Sequence, residues 1–358
     1  MAFTEQTLEL DNAHISNLFG QFDCYLKKLE RAFGTQIIDR DGTVHIRGEQ
    51  SAVAHTAAVF TELQELARRG NQIQAQNVDY AIAMHMENQE NTLLEIDGDL
   101  ICHTVSGKPV KPKTLGQKQY VDAIREKMIV FGLGPAGTGK TYLAMAMAIT
   151  AFKNNEVERI ILTRPAIEAG EKLGFLPGDL QSKVDPYLRP LYDALYQIMG
   201  AESFQRNMEK GLIEVAPLAY MRGRTLDNAY IILDEAQNTT PAQMKMFLTR
   251  IGFGSKVVIT GDASQKDLAP GTQSGLDVAV KVLSGLDDIG FCNLTSRDVV
   301  RHPLVQKIVK AYETYEAKQA YRESKERRLT SAAGGKTTGK TKRRTEAPLR
   351  RNEKERRS

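Results

Sequence analysis

One short segment limits the fold of this chain more than any other. Residues 134–141 read GPAGTGKT and match the pattern G-x-x-x-x-G-K-[ST], between an apolar run at 128–131 and a helical stretch at 142–152. A glycine-rich loop in this context wraps its N–H groups around phosphate, and the helix N-terminus adds partial positive charge. A glycine-rich turn without a ligand is the alternative. The sequence therefore predicts a nucleotide-binding loop made by Gly134, Pro135, Ala136, Gly137, Thr138, Gly139, Lys140 and Thr141.

Two acidic residues are placed to complete this site. Asp234 and Glu235 end the apolar run at residues 230–233, and Asp234 follows Lys140 by 94 residues. We expect Lys140 to reach the β- and γ-phosphates, and Thr141 and Asp234 to hold Mg²⁺, the aspartate through water. Glu235 is placed to orient or deprotonate the attacking water. The alternative for the acidic pair is a solvated helix start, where acids interact well with the helix dipole.

A third motif follows the apolar run at residues 257–259. It reads TGDASQ, and its last residue, Gln265, is a candidate contact for the γ-phosphate or the attacking water. Alone the motif is weak, because Gly-Asp is common in turns. After the first two motifs it favours a site that hydrolyses ATP, with Lys140, Glu235 and Gln265 as the catalytic candidates.

The apolar runs predict an α/β domain with a mostly parallel sheet. Continuous apolar runs are typical of strands that are buried on both faces, and alternation with helices is typical of βαβ units. We assign residues 114–320 to this domain. The runs cover residues 128–131, 160–162, 213–215, 230–233 and 257–259.

The flanking segments have different patterns. Residues 1–90 predict a small α/β domain with the order β-α-α-β-β-α, and residues 91–113 predict a linker with one hairpin. Residues 321–358 are charge-rich and of low complexity, which predicts disorder. Residues 325–358 contain 13 Lys/Arg and 4 Asp/Glu, whereas the rest of the chain is slightly acidic. Such a basic tail can attract a polyanion such as RNA, or it can serve only to keep the protein soluble.

Two other classes of protein do not fit the composition. All apolar runs fall short of the roughly 18 residues that a membrane helix needs, and the N-terminus lacks the basic start of a secretory signal. Cys24, Cys102 and Cys292 lie far apart and form no CxxC pair, so neither a disulfide framework nor a zinc site is indicated. We expect a reducing, cytoplasmic setting without membrane contact.

Together the three motifs resemble the core of the superfamily-one helicases, a RecA-like P-loop fold. That group keeps a glutamine for adenine ahead of the loop, and Gln117 lies 23 residues before Lys140. A surface polar residue opening a helix is the alternative for Gln117. Thr163 and Arg164 occupy the place of the block that contacts single-stranded nucleic acid. The resemblance therefore implies adenine binding by Gln117 and RNA contact by Thr163 and Arg164.

Residues 163–180 narrow the resemblance to the PhoH family, the phosphate-starvation-inducible ATPases of bacteria, and residues 184–187, 221–225 and 298–303 extend it. It covers about residues 114–315, and the N-terminal unit is similar to the KH-like domain of the family's longer members. The resemblance implies ATP binding and hydrolysis in the cytoplasm, linked to RNA and to ribosomal RNA maturation. It also implies a metal-dependent endoribonuclease as a partner.

The chain departs from the helicase pattern, because only one RecA-like lobe fits in about 200 residues. One lobe cannot grip and release a strand by closing on itself. We therefore expect a ring-like homo-oligomer in which a neighbouring subunit supplies an arginine finger. Arg222, Arg224 and Arg301 are the candidates, with surface salt bridges or contacts to RNA phosphate as the alternatives.

The KH-like segment also departs from its pattern. KH domains clamp nucleotides with a Gly-x-x-Gly loop, and the corresponding turn here, residues 20–23, ends in Asp23. The aspartate puts negative charge where phosphate approaches, and it suits the N-cap of the next helix. The expected uses of this domain are therefore protein contact or weaker RNA binding.

Two functions fit these patterns. The first is an RNA-linked ATPase with remodelling or helicase-like activity. The second is an ATP-switched binding module that recruits or regulates an endoribonuclease or ribosomal partner without unwinding RNA. Glu235 favours hydrolysis over binding alone. A small-molecule kinase is disfavoured by the TGDASQ motif and by the lack of an obvious acceptor-binding lid.

Overall fold

The structure is a computed structural model that describes residues 3–40, 42–87, 92–165 and 180–300, with residues 304–305, 308, 311–312, 314–315 and 318. The chain divides into two compact units, residues 1–300 and 301–358. In the second unit the described residues are helical and exposed. The predicted disordered tail, Arg301 and most of the 163–180 signature lie outside the described residues. No helix among the described residues is long and apolar enough to cross a membrane.

The first unit begins with a three-stranded antiparallel sheet covered by helices. It contains β1 (Phe3–Glu9), α1 (Ile15–Phe19), α2 (Cys24–Phe33), β2 (Gln36–Arg40), β3 (Thr43–Glu49), α3 (Gln50–Arg68) and α4 (Ala75–Met86). The strands lie in the order β1-β3-β2, and β2 and β3 form the predicted hairpin. Val44 and Ile46 of β3 are buried in one cluster with Phe60 and Leu63 of α3, because both elements present an apolar face inward. The predicted order β-α-α-β-β-α is confirmed.

Regular structure continues through residues 91–113, the predicted linker. It contains α5 (Thr92–Asp97) and the antiparallel pair β4 (Cys102–His103) and β5 (Pro109–Val110). The hairpin was expected, but α5 was not. Leu93, Ile101 and Val110 are buried, so this segment packs against its neighbours on both sides.

The remainder of the first unit is built on a parallel sheet. Its elements are α6 (Leu115–Glu126), β6 (Ile129–Leu133), α7 (Lys140–Lys153), β7 (Arg159–Arg164), α8 (Leu180–Met199), α9 (Ala201–Glu209), β8 (Ile213–Pro217), β9 (Ala229–Leu233), α10 (Pro241–Leu248), β10 (Lys256–Gly261), α11 (Gly275–Leu283) and β11 (Ile289–Asn293). The strand order is β11-β6-β10-β9-β7-β8, and every pairing is parallel. The five predicted strands are confirmed, and β11 is an additional edge strand.

Helices cover both faces of this sheet, which explains the continuous apolar runs. Val130 and Ile160 belong to a buried cluster that includes residues of α6, α7, α8 and α9. Phe131 and Ile161, one position further along the same strands, belong to the cluster on the other face with residues of α10 and α11. Because the strands are parallel, the ends of β6, β7, β9 and β10 meet at one edge of the sheet.

Candidate nucleotide site

The predicted phosphate loop connects the end of β6 to the first residue of α7. Gly139 has a φ of 79°, in the left-handed region that glycine tolerates best. The Gly134 amide donates to the carbonyl of Gly261 at 3.1 Å, which ties the loop to the end of β10. By helix geometry the first amides of α7 find no acceptor within the helix, so this helix start suits a phosphate group.

The ammonium group of Lys140 lies within the curve of this loop. It donates to the carbonyls of Gly134 at 2.6 Å and Pro135 at 2.9 Å, and to the Thr138 hydroxyl at 3.3 Å. Lys140 is only 8% exposed. The carbonyl groups of the loop therefore hold the positive charge of Lys140 inside the loop.

Asp234, directly after β9, is hydrogen-bonded to three neighbouring elements, α7, β10 and β7. Its Oδ1 accepts from the Thr141 hydroxyl at 2.7 Å and from the Thr260 hydroxyl at 2.6 Å. Its amide donates to the Thr163 carbonyl at 2.9 Å. Thr260 reaches this carboxylate because β10 lies between β6 and β9 in the sheet. Thr141 and Asp234, the two residues predicted to hold Mg²⁺, are thus in direct contact with each other.

The same two side chains suit a magnesium ion. Mg²⁺ prefers hard oxygen ligands, and in nucleotide sites it uses few protein groups because phosphate and water supply the rest. The Thr141 hydroxyl and the buried Asp234 carboxylate are oxygen donors of this kind, 2.7 Å apart. The donor set therefore fits a nucleotide-bound Mg²⁺.

Glu235 is held on both of its carboxylate oxygens. Its backbone is left-handed, with φ of 55°. Oε1 lies 3.0 Å from Nη2 of Arg164, and Oε2 accepts a hydrogen bond from Gln237 Nε2. Gln237 also donates to the main-chain carbonyl of Gln265 at 3.0 Å. The carboxylate is therefore connected to the ends of both β7 and β10.

These residues surround one cleft of about 260 Å³ at the carboxyl edge of the sheet. The structure thus brings together the catalytic candidates and the metal candidates of the sequence analysis. The cleft is lined by Gly137, Lys140, Thr141, Asp234, Glu235 and Gln265, among others.

Three further residues, to which the motifs assign no role, support this arrangement. Thr260 and Gln237 contact Asp234 and Glu235, as described above. Asp262 accepts from the Ala136 amide at 3.1 Å and so fixes the outer side of the phosphate loop. All three lie in or directly beside the acidic and TGDASQ motifs. Their position as polar residues at the ends of adjacent strands could therefore have predicted that they belong to the site.

Gln117 lies behind the loop. Its Nε2 donates to the Thr138 carbonyl at 2.9 Å, and its Oε1 accepts from the Lys113 amide at 2.8 Å. Gln117 is 3% exposed and therefore is not the surface residue of the alternative reading. Its contact with adenine stays a prediction.

The remaining candidates lie in different surroundings. Arg224 makes two hydrogen bonds to Glu214, at 2.6 and 2.7 Å, and these raise the pKa of its guanidinium above the usual value. Arg222 is exposed, and Arg301 lies outside the described residues. Thr163 is fully buried, with its hydroxyl unpaired, and Arg164 pairs with Glu235. RNA contact by Thr163 and Arg164 stays a prediction.

The fold and this site define the class of the protein. A glycine-rich loop joins a parallel strand to a helix that begins with Lys140 and Thr141, and an aspartate at the end of a strand in the same sheet bonds to that threonine. A protein with this arrangement is a P-loop NTPase.

Comparisons with known proteins identify the family. Residues 109–313 match the family described as PhoH-like protein. A PhoH-like protein of Bacillus subtilis (strain 168) is 54% identical over 297 residues, which cover 83% of this chain and 93% of that protein. A PhoH-like protein of Mycobacterium tuberculosis (strain ATCC 25618 / H37Rv) is 52% identical over 321 residues, covering 89% and 91%. The chain belongs to the PhoH-like family.

Similarity to solved structures is much lower. The Pif1 helicase from Candida albicans shares 15% sequence identity at a TM-score of 0.28, covering 51% of this chain and 40% of the helicase. That similarity is too low to support an inference about this chain.

Proposed function

We propose that this protein binds ATP together with Mg²⁺ and hydrolyses it. One observation carries the proposal: Lys140, the Thr141–Asp234 pair and Glu235 line the same cleft. Lys140 supplies positive charge for phosphate oxygens, and Thr141 and Asp234 supply oxygen ligands for the metal. Mg²⁺, when bound, neutralises charge on the β- and γ-phosphate oxygens.

Glu235 is the group that orients the attacking water or accepts its proton. Its two carboxylate oxygens are engaged by Arg164 and Gln237, which fix its orientation, and each oxygen retains a second lone pair that can accept a hydrogen bond from water. Gln265 lines the same cleft and is a second candidate for contact with the water or the γ-phosphate. Turnover therefore depends on the partners of Glu235 as well as on Glu235 itself.

We propose further that RNA is the partner linked to turnover, in a remodelling role during RNA metabolism in the cytoplasm. The support is the position of Arg164, which is predicted to contact RNA and is paired with the catalytic carboxylate at 3.0 Å. A phosphate group of an RNA strand would compete with Glu235 for this guanidinium. The excess of Lys and Arg in residues 325–358 would add non-specific attraction to RNA.

An ATP-switched binding module, acting on an endoribonuclease or a ribosomal partner, is the second candidate. It is favoured by contacts between the N-terminal domain and the segment beside the phosphate loop, such as Gln76 with the carbonyl of Val299 at 3.5 Å. In that case ATP controls docking, and RNA has no effect on the rate.

The test is the ATPase rate with and without single-stranded RNA for the wild type and three variants. Lys140→Ala should lose nucleotide binding, because the loop loses its charge. Glu235→Gln should retain binding and lose about 10²- to 10⁴-fold in turnover, the usual contribution of a general base. Glu202→Gln, at an exposed position on α9, is the matched control and should match the wild type.

The outcomes separate the proposals. Stimulation of the rate by RNA supports remodelling, whereas an ATPase that ignores RNA supports the switch. Normal turnover by Glu235→Gln would show that the role assigned to this carboxylate is wrong. A wild-type protein that does not bind ATP would refute the proposal as a whole.

A further inference from the structure

Residues 295–300, which we call the strap, run along the side of the phosphate loop. The Val300 amide donates to the carbonyl of Gly137 in the loop at 2.9 Å. The carbonyl of Asp298 lies 3.5 Å from Nε2 of Gln117, which also holds the Thr138 carbonyl. The strap thus contacts two successive loop residues, one directly and one through Gln117.

The buried carboxylate of Asp298 anchors the strap. Asp298 is 5% exposed and accepts hydrogen bonds from the Thr114 hydroxyl at 2.6 Å and from the Thr295 amide at 2.8 Å. A Cβ atom on Gly116 would lie 2.5 Å from one of its oxygens, so the carboxylate sits against the first turn of α6. The partial positive charge of that helix start favours an anion there.

Helix α4 of the N-terminal domain and Glu87, which directly follows it, contact the strap and the start of α6. Gln76 donates to the Val299 carbonyl at 3.5 Å, and Glu87 forms an ion pair with Arg297. The Tyr80 hydroxyl accepts a hydrogen bond from the amide of Leu115, the first residue of α6. Burial raises the pKa of Tyr80 to about 12.

We infer that the strap couples the N-terminal domain to nucleotide binding, with Asp298 and Tyr80 as positioning residues for the phosphate loop. The inference rests on the proposed binding of ATP at that loop. A phosphate cradle works only if its backbone is held within about 0.5 Å of the productive geometry. A change in the position of α4 moves Leu115 and the strap, and through them it moves Gln117 and Gly137.

Coupling of this kind is reciprocal. If the position of α4 changes the affinity for ATP, then ATP must change the stability or ligand affinity of α4 by the same factor. The N-terminal domain is therefore a regulatory element of the nucleotide site, whatever it contacts with its other surfaces.

The first experiment compares two Tyr→Phe variants within the N-terminal domain. Tyr80→Phe removes the hydroxyl at the junction, whereas the matched control Tyr25→Phe removes one that bonds to Ile73 inside the domain. We expect Tyr80→Phe to weaken binding of a non-hydrolysable ATP analogue with Mg²⁺ by about threefold to tenfold, within the range for residues that modulate coupling. Asp298→Asn should act in the same direction, and Tyr25→Phe should leave affinity unchanged.

A second measurement needs no variant. Adding the analogue to the full-length wild type should slow hydrogen exchange at amides of α4, residues 75–86, and Tyr80→Phe should reduce that protection. Unchanged exchange in α4, or affinities of Tyr80→Phe and Asp298→Asn equal to the wild type, would overturn the coupling while leaving ATP binding intact. A wild type that does not bind the analogue would instead refute the proposed function, and with it this inference.

Discussion

Asp234 accepts two short hydrogen bonds on one oxygen of its carboxylate. Its Oδ1 accepts from Thr141 of the phosphate loop and from Thr260 of β10, at 2.7 and 2.6 Å. Charge-assisted hydrogen bonds of this kind are shorter and stronger than neutral ones. The carboxylate therefore fixes the loop relative to the central strands.

Removing the Thr260 hydroxyl should cost more stability than removing a comparable neutral donor. We expect Thr260→Val to lower the free energy of unfolding by about 1.5–3 kcal/mol, because a buried carboxylate loses a donor. Thr239→Val is the matched control: its hydroxyl is also buried, but it donates to the neutral carbonyl of Ala236. That change should cost about 0.5–1.5 kcal/mol. Urea denaturation measures both, and equal losses would contradict a special role for Thr260.

The sequence predicted which residues form the site, but it did not predict which side chains contact one another. The motifs identified Lys140, Thr141, Asp234 and Glu235, because chain order and residue type suffice for that. The ion pair between Arg164 and Glu235 depends on β7 lying beside β9, and local patterns do not contain strand order. The predicted RNA contact was therefore found bonded to the predicted catalytic base.

Among the elements, β11 shows why a short edge strand is difficult to predict. It has five residues, includes a glycine, and is less buried than the other strands around the site. It nevertheless pairs with β6 from Ile289↔Ile129 to Asn293↔Leu133. The Leu294 amide then donates to the Leu133 carbonyl at 2.7 Å, so this strand supports the start of the phosphate loop.

A methyl group on Gly134 should push the loop away from β11. Gly134 has a φ of 145°, and an added Cβ would lie 2.3 Å from the Leu294 carbonyl oxygen. We expect Gly134→Ala to destabilise the protein by at least about 2 kcal/mol, from backbone strain and overpacking together. Gly290→Ala, where the nearest atoms are at 3.4 Å, should cost less than about 1 kcal/mol. Thermal unfolding tests this, and similar midpoints for the two variants would refute the expected clash.

Helix α5 was missed for a different physical reason. Glu62 of α3 is buried, with its Oε2 at 2.9 Å from His85 of α4 and its Oε1 accepting from the Leu93 amide at 2.8 Å. Prediction from the hydrophobic pattern treats Glu62 and His85 as polar residues and so expects both at the surface. Their mutual pairing allows burial and joins α3 to α4, whereas the bond from the Leu93 amide to Glu62 attaches α5.

For the protein as a whole, the sequence predicts a single RecA-like lobe whose ATP hydrolysis uses an arginine from a neighbouring subunit. Arg224 is bonded to Glu214 of its own subunit, whereas Arg222 is exposed, so among the described candidates Arg222 is better placed to reach a neighbour. The ring-like homo-oligomer stays a prediction.

Arg222→Ala should slow hydrolysis by about a hundredfold or more with little change in nucleotide affinity, because an arginine finger acts mainly on the transition state. Mixing it with Lys140→Ala subunits should restore part of the rate, since each variant supplies what the other lacks. Arg206→Ala, an exposed change on α9, is the control. Sedimentation gives the assembly state, and a monomer with full ATPase activity would exclude the arginine finger.

The hydrogen bond from Val300 to Gly137 has one more consequence. Val300 is the last residue of the first compact unit, and the ends of a folded unit fray unless they are tied down. The group that ties it down is a carbonyl of the phosphate loop, so the backbone beside the nucleotide cleft also keeps the end of this unit in place. A displacement of Gly137 would therefore free the backbone at Val300.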